Sequence, residues 1–244
     1  MPLLHLFTDF GLAGPYMGQM HAAVHRAAPP VTPVTLLADA PTFDAAAAAH
    51  LLAALVGHIP PGEGVVAVVD PGVGTARRPL ALKADGRWLT GPDNGLLSVV
   101  GGRARQADWF AISWRPDHLS ASFHGRDLFA PVAARLLAGE APARLLAPLD
   151  APPVALPEGA GDRARVIAID AFGNLMTGLR ASHHAGPLTV KGRPLPRAGT
   201  FGEVPVGQPL VYANSLGLLE IAVNQGHAAR VLGLAVGDPV DPAP

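Results

Sequence analysis

Three short apolar runs, residues 3–7, 34–37 and 65–69, constrain this chain most, because each gives way almost at once to an aspartate in a turn. A helical stretch over about 16–28, stopped by Pro29-Pro30, fills the first interval. An alanine-rich helix reaching about residue 58, with Asp44 as its cap, fills the second. Repeated strand–loop–helix units of this kind build a largely parallel sheet covered by helices. Ligands of such sheets bind beyond the carboxyl ends of the strands. Asp9, Asp39 and Asp70 are therefore expected along one functional edge.

Downstream the pattern changes. Residues 80–84 and 88–90 read as a hairpin closed by Asp85-Gly86, and a further helix is expected over 128–137. Residues 139–162 are rich in alanine, proline and glycine and show no periodicity. Beyond them, 166–169, 188–190, 210–212 and 218–223 read as short strands of a small barrel or sandwich. The expectation is an α/β catalytic domain over 1–150 with a mostly parallel sheet, a linker over 151–162, and a smaller β-barrel-like domain over 163–244.

Charge and composition remove several functional classes. Eighteen basic and nineteen acidic residues leave a formal charge of −1 with no basic stripe, so neither nucleic acid nor an anionic membrane is the expected partner. The absence of cysteine excludes disulfides, thiolate zinc sites and thiol nucleophiles. No apolar run is long enough to span a bilayer. The chain enters its first strand without a leader-like pattern, and a cytoplasmic location is the expectation.

Five loops carry polar side chains that chemistry would use. In Asp70-Pro71-Gly72-Val73-Gly74-Thr75-Ala76-Arg77-Arg78, two glycines let the backbone approach a ligand, and both charges are offered at one place. A tight turn with a surface ion pair has the same composition, and the Gly-Lys-Ser/Thr ending of a phosphate-binding loop is missing. Pro92-Asp93-Asn94-Gly95 is turn chemistry in which Asn94 can cap the next helix. His124, set among Gly125, Arg126 and Asp127, fits an apolar face poorly. Asp170, Phe172 and Asn174 can hold a planar base by stacking and hydrogen bonding, or form a β-turn with Phe172 in the core. Residues 214–224 read as a polar loop feeding a buried strand, with Ser215 the group a ligand would reach.

Taken in order, Phe7-Thr8-Asp9-Phe10-Gly11, the Asp70 loop with Arg77-Arg78, Pro92-Asp93-Asn94-Gly95, Phe123-His124-Gly125-Arg126-Asp127, Phe172-Gly173-Asn174 and residues 215–224 closely resemble the S-adenosyl-L-methionine hydroxide adenosyltransferases. These adenosine-forming hydrolases are related to fluorinating and chlorinating enzymes. The resemblance covers nearly the whole chain, the linker least. It implies an α/β domain followed by a β-barrel-like domain, and a homotrimer whose sites lie between subunits. It also implies catalytic roles for Asp70, Arg77 and His124, ribose binding by Asp9, and pocket walls at Phe43 and Phe123. Adenine and methionine contacts fall on Asp170, Phe172, Asn174 and Ser215. S-adenosyl-L-methionine is the implied substrate, with no metal and no cofactor. Gly125 stands where a halide-using relative has serine, and Leu216 and Val223 replace arginines of the halogenating branch, which points to hydrolysis. Gly14 and Ala38 depart from an aspartate and a histidine common among relatives. Halide transfer to the same carbon, or a non-catalytic nucleoside sensor, are the alternatives.

The chemistry such a site needs is modest. A sulfonium is a built-in leaving group, so attack at the ribose C5′ depends on alignment and exclusion of water, together worth about 7–11 kcal/mol. Arg77 is expected to favour hydroxide electrostatically. His124 is expected to accept a proton, with Asp70 orienting it or the water. Asp9 suits two vicinal ribose hydroxyls.

Overall fold

The alternation of apolar runs and helices becomes one seven-stranded sheet in a computed structural model that describes residues 1–242. The chain divides into two compact units, Met1–Ala160 and Gly161 onward. In chain order the first contains β1 (Leu3–Thr8), α1 (Tyr16–Ala27), β2 (Thr32–Leu37), α2 (Ala45–Val56), β3 (Gly64–Val68), β4 (Pro79–Ala84), β5 (Arg87–Pro92), α3 (Ser98–Arg103), β6 (Ala107–Ile112), α4 (Ala130–Leu137) and β7 (Leu146–Pro148). The strand order is β2-β1-β3-β5-β4-β6-β7. The pairs β1–β2, β1–β3 and β3–β5 are parallel, and those involving β4, β6 and β7 are antiparallel.

Local causes are easily named. Every residue of β3 is buried, as expected of a valine-rich strand covered on both faces. Helix α1 buries Met17, Met20 and Val24, which share one core with Leu4, Leu6 and Val66 of the sheet and Phe129 and Val132 near α4. Asp44 caps α2 by accepting from the Ala47 amide at 2.9 Å. Asp85 and Gly86 both take positive φ, 45° and 79°, which the tight β4–β5 turn requires.

Residues 151–160, most of the expected linker, lie against the first unit. Asp93 accepts from the Val154 amide at 2.7 Å, Leu156 is buried with Ala49 and Val99, and Arg103 donates to the Ala160 carbonyl at 3.0 Å. A segment without periodicity is held here by a buried carboxylate and one apolar anchor.

The second unit contains β8 (Arg163–Ile169), β9 (Leu175–Arg180), β10 (Leu188–Val190), β11 (Arg193–Leu195), β12 (Pro209–Ala213), β13 (Leu218–Val223), α5 (Ala228–Leu232) and β14 (Asp241–Pro242). Its sheets, β12-β13-β9-β8 and β11-β10-β14, are antiparallel. Both contribute to one core, through Val166, Leu175 and Ile221 from the first and Leu188, Val190 and Leu195 from the second. No helix among the described residues is long and apolar enough to cross a membrane.

Candidate active site

Parallel β1 and β3 are neighbours, so the residues following them come together at one sheet edge. Asp9 follows β1, Asp70 follows β3, and both line a cavity of about 400 Å3 with Phe43, Phe123, His124 and Gly125. Asp39, beyond β2, does not line it. Two further walls are Phe10 and Tyr16, which sequence reasoning did not single out as contacts. Phe10 and Tyr16 both meet Phe123 edge-on, with centroids 5.6 and 5.5 Å away. Their signal was present: Phe10 sits inside the Asp9 motif and Tyr16 opens α1.

The Asp70 loop is a folded clasp. The Val73 amide donates to the Asp70 carbonyl and the Thr75 hydroxyl to the Gly72 carbonyl, at 3.2 and 2.7 Å. Gly74 has φ +78°, and a Cβ there would lie 2.5 Å from the Ala121 carbonyl oxygen, so only glycine fits. The clasp returns Arg77 to Asp70, whose two oxygens each accept from Nε at 3.0 Å. Arg77 Nη2 also bonds Asp70 Oδ2 and donates to His124 Nδ1 at 3.0 Å. The Asp70 and Arg77 side chains are 3% and 9% exposed. Arg77 does not itself line the cavity; it stands behind Asp70 and His124, its guanidinium 5.2 Å from the Phe129 ring centre.

This arrangement fixes the imidazole. A guanidinium only donates, so His124 Nδ1 must accept and the ring proton must sit on Nε2. Burial, reinforced by the Arg77 charge, holds the His124 pKa below its ordinary value. The ring is neutral at pH 7 and presents an N–H. It can take a proton at Nδ1 only by giving up Arg77. The π-helical turn Gly125–Phe129 begins immediately after it, a form often found at functional sites. A Cβ on Gly125 would touch Met20 Sδ at 3.3 Å and Phe10 Cζ at 3.4 Å, so a larger residue would press on the cavity floor.

Neighbouring motifs prove to be supports. Arg78 turns away from Arg77 and binds Asp93 at 2.8 Å and the Pro152 carbonyl at 2.7 Å. Asn94 does not cap α3, whose first turn follows Leu97; its amide donates to the Val69 carbonyl at 2.9 Å, anchoring the end of β3. Asp9 Oδ2 accepts from the Phe43 amide at 3.3 Å. Burial, with a smaller push from Asp70, raises the Asp9 pKa against that hydrogen bond. Phe43 has φ +60° and is 75% exposed.

In the second unit, Asp170 is spent on its own loop. Oδ1 accepts from the Phe172 and Asn174 amides at 2.9 and 2.8 Å, and Oδ2 from Asn174 Nδ2 at 3.0 Å. Asn174 is buried, and its Oδ1 is left as the outward acceptor. Phe172 is 78% exposed, so it is not the core residue a plain turn would supply. Phe172, Asn174, Phe201, Gln225 and His227 line a cavity of about 540 Å3. Ser215 lies elsewhere. Leu218 pairs with Arg180 and Ile221 with Leu175, so the Ser215 turn and the Phe172 loop occupy opposite ends of the sheet. Buried Glu220 holds that turn, accepting from Tyr212 and, at 2.8 Å, from Asn214.

The N-terminal domain model of the SAM hydroxide adenosyltransferases matches residues 4–146, and the C-terminal domain model matches residues 164–241. The chain belongs to the SAM hydroxide adenosyltransferase family. It is 41% identical to the (R)-S-adenosyl-L-methionine hydrolase of Thermus thermophilus, over 97% of this chain and 98% of that protein. The enzyme of the same name from Salinispora arenicola is 39% identical over 97% and 96% of the two chains. A crystal structure of an uncharacterized conserved protein from Thermotoga maritima superposes with a TM-score of 0.88, at 30% identity, covering 98% of this chain and all of that one. Among the described residues of this family member, no group of three or more metal-ligating side chains is placed to share an ion.

Proposed function

We propose that this chain hydrolyses S-adenosyl-L-methionine to adenosine and L-methionine, by direct attack of water on C5′ of the ribose. The observation that carries the reading is the Asp70–Arg77–His124 cluster, hydrogen-bonded together and set beside Asp9 at one cavity. Asp9 accepts from the two ribose hydroxyls. A water between Asp70 and His124 donates to the carboxylate and accepts from Nε2–H, which leaves a lone pair for C5′. As the C5′–O bond forms, the C5′–S pair leaves with sulfur, giving the neutral thioether of methionine. The attacking oxygen becomes strongly acidic in that step, so the Asp70 carboxylate suffices to take its proton. Arg77 thus acts from behind, pinning Asp70 and fixing the His124 tautomer. On this reading Asp70 takes the proton, in place of the expected electrostatic favouring of hydroxide by Arg77 and proton acceptance by His124.

The base of the substrate lies against Phe172. Asn174, with its NH2 committed to Asp170, offers an oxygen to an exocyclic amino group. Neither metal nor organic cofactor enters, since the sulfonium leaves unaided; activity after exhaustive chelation checks this. The catalytic cluster and the aromatic clamp lie in different compact units, and Phe43 and Phe172 are both exposed. The chain works as a homotrimer with sites shared between subunits, testable by sedimentation. It resides in the cytoplasm, testable by cell fractionation. Following the names of the relatives, the R sulfonium epimer is the better substrate.

The test is to incubate purified protein with the separated epimers and resolve the products. Adenosine and methionine are expected in equal amounts. Chloride-dependent 5′-chloro-5′-deoxyadenosine would indicate halide transfer, and ligand binding without turnover would indicate a sensor.

A further inference from the structure

The turn that carries His124 has two faces, and the reaction uses only one. Phe123, His124 and Gly125 line the catalytic cavity, whereas the next two residues, Arg126 and Asp127, line a separate cavity of about 360 Å3 in the same unit. Its other walls come from α1, α4 and the loop after β6. No run of basic residues marks it in the sequence, because only the fold brings Arg26, Arg126 and Arg135 together.

Three guanidiniums at one cavity repel unless each is answered. Arg126 is answered fully: Nε and Nη2 donate to Asp127 at 2.6 and 2.9 Å, and Nη1 to Gln19 Oε1 at 2.7 Å. Arg135 is answered in part, Nε and Nη2 binding Glu140 at 2.7 and 2.8 Å while Nη1 is left over. Arg26, in the last turn of α1, has no hydrogen-bond or ion-pair partner among the described residues. Set against Asp127 and Glu140, the three arginines leave a single positive charge, which matches a monoanion and not a dianion. A guanidinium fork receives a carboxylate at both of its oxygens. The rest of the wall is apolar: Ala23, Ala27, Pro116, Pro131 and Trp114, whose ring centre lies 4.8 Å from the Arg135 guanidinium.

We propose that this cavity is a second ligand site, taking a small monocarboxylate with an apolar body, and that its occupancy is felt at the active site. The link is the shared turn. Asp127 Oδ2, besides holding Arg126, accepts from the Ser120 amide at 3.0 Å, and the Asp127 amide donates to the Phe123 carbonyl at 3.2 Å. The Arg126 guanidinium lies 4.8 Å from the Phe123 ring centre. A carboxylate held by Arg26 and Arg135 competes with Asp127 for Arg126. Loosening that pair releases the Ser120 and Phe123 ends of the segment in which His124 is set. The site stands apart from the catalytic cavity and does not depend on which substrate enters there.

Benzoate is the probe, with benzyl alcohol (the same body without charge) and inorganic phosphate (charge without the body) as controls. Titration calorimetry at constant ionic strength is expected to show benzoate binding more tightly than either control. Arg26→Gln removes an exposed charge outside the catalytic machinery. It should leave Tm and the benzoate-free kcat unchanged while weakening benzoate at least about 10-fold. In the unaltered protein, saturating benzoate should lower kcat for S-adenosyl-L-methionine about 5-fold, the usual scale of coupling between two sites, and then level off. A plateau separates this effect from competition at the catalytic cavity, which would drive turnover to zero. No benzoate binding, equal binding of phosphate, or binding untouched by Arg26→Gln overturns the site. Binding with kcat unmoved overturns the coupling. Absence of turnover by the unaltered protein overturns the proposed function instead, and the binding experiment still decides the site.

Discussion

The two cavities solve opposite problems. In the first unit a buried charged pair and a neutral imidazole are bonded to one another: Asp70 to Arg77, Arg77 to His124. In the second the polar groups are uncharged at the cavity surface, because Asp170 has turned both oxygens inward to its own loop. A reaction that cancels a sulfonium needs fixed charge at one atom, where small displacements cost rate. Recognition of a base needs flat apolar walls and amides whose orientation is set in advance. The difference predicts that first-unit substitutions act on kcat and second-unit substitutions on KM.

The strongest attempt to break that division is Arg77→Ala. Loss of one preorganising partner at a charged site lowers kcat about 100- to 1,000-fold, with KM little altered. Asp70 would remain buried without its partner, so thermal unfolding should also show a loss of about 3–5 kcal/mol. Arg77→Lys restores charge without the planar fork, and should recover stability more than rate. An Arg77→Ala enzyme of normal kcat would end the claim that the cluster is catalytic.

Gly173→Ala probes the second unit nearly as hard. Its φ is +86°, and a Cβ there would lie 2.1 Å from His227 Nδ1. The loop bearing Phe172 must shift, costing about 2–4 kcal/mol, read as a lowered Tm and a raised KM. Phe172→Ala is milder and cleaner. The ring is already exposed, so Tm should hold, while loss of stacking worth about 1–3 kcal/mol raises KM by about 5- to 150-fold. If kcat fell with KM unmoved in either variant, the two cavities would not divide the work as argued.

Much of the first unit was legible because its causes are local. Apolar runs became β1, β2 and β3, Asp44 became a cap, and Asp85-Gly86 became a tight turn. Helix α3 was not, because Gly101 and Gly102 lower helix propensity. Gly101 is there for a non-local reason: a Cβ would lie 2.3 Å from the Trp109 ring of β6. Sequence order placed Asp9 and Asp70 on one edge but could not separate Arg77, aimed at Asp70, from Arg78, aimed at Asp93. Nor could it show that Arg77 stands behind the cavity lining. Ser215 was grouped with Phe172 by motif, whereas strand register places their loops at opposite ends of the sheet. Register is a property of pairing, and no single motif carries it.

The smallest expected effect decides the nucleophile. His124 is neutral in the folded protein down to a pH below its ordinary value of 6.5, because burial and Arg77 both oppose its charge. Between that lowered pKa and 6.5 the unfolded chain binds more protons than the folded one. This contribution to stability is therefore full above pH 6.5 and declines as pH falls through the folded pKa. Protonation also breaks the Nδ1 bond to Arg77, so kcat should fall on the same acid limb. Above about pH 7 the routes diverge. Water held by Asp70 and His124 predicts a flat kcat, whereas capture of free hydroxide predicts about a tenfold rise per pH unit until the site saturates. Arg77→Met removes only the lesser cause of the lowered His124 pKa, so the acid limb should move up without reaching 6.5. A flat profile with that partial shift supports water activated by the cluster. A rising profile would return Arg77 to the role of holding hydroxide, and would make His124 a spectator of the attack.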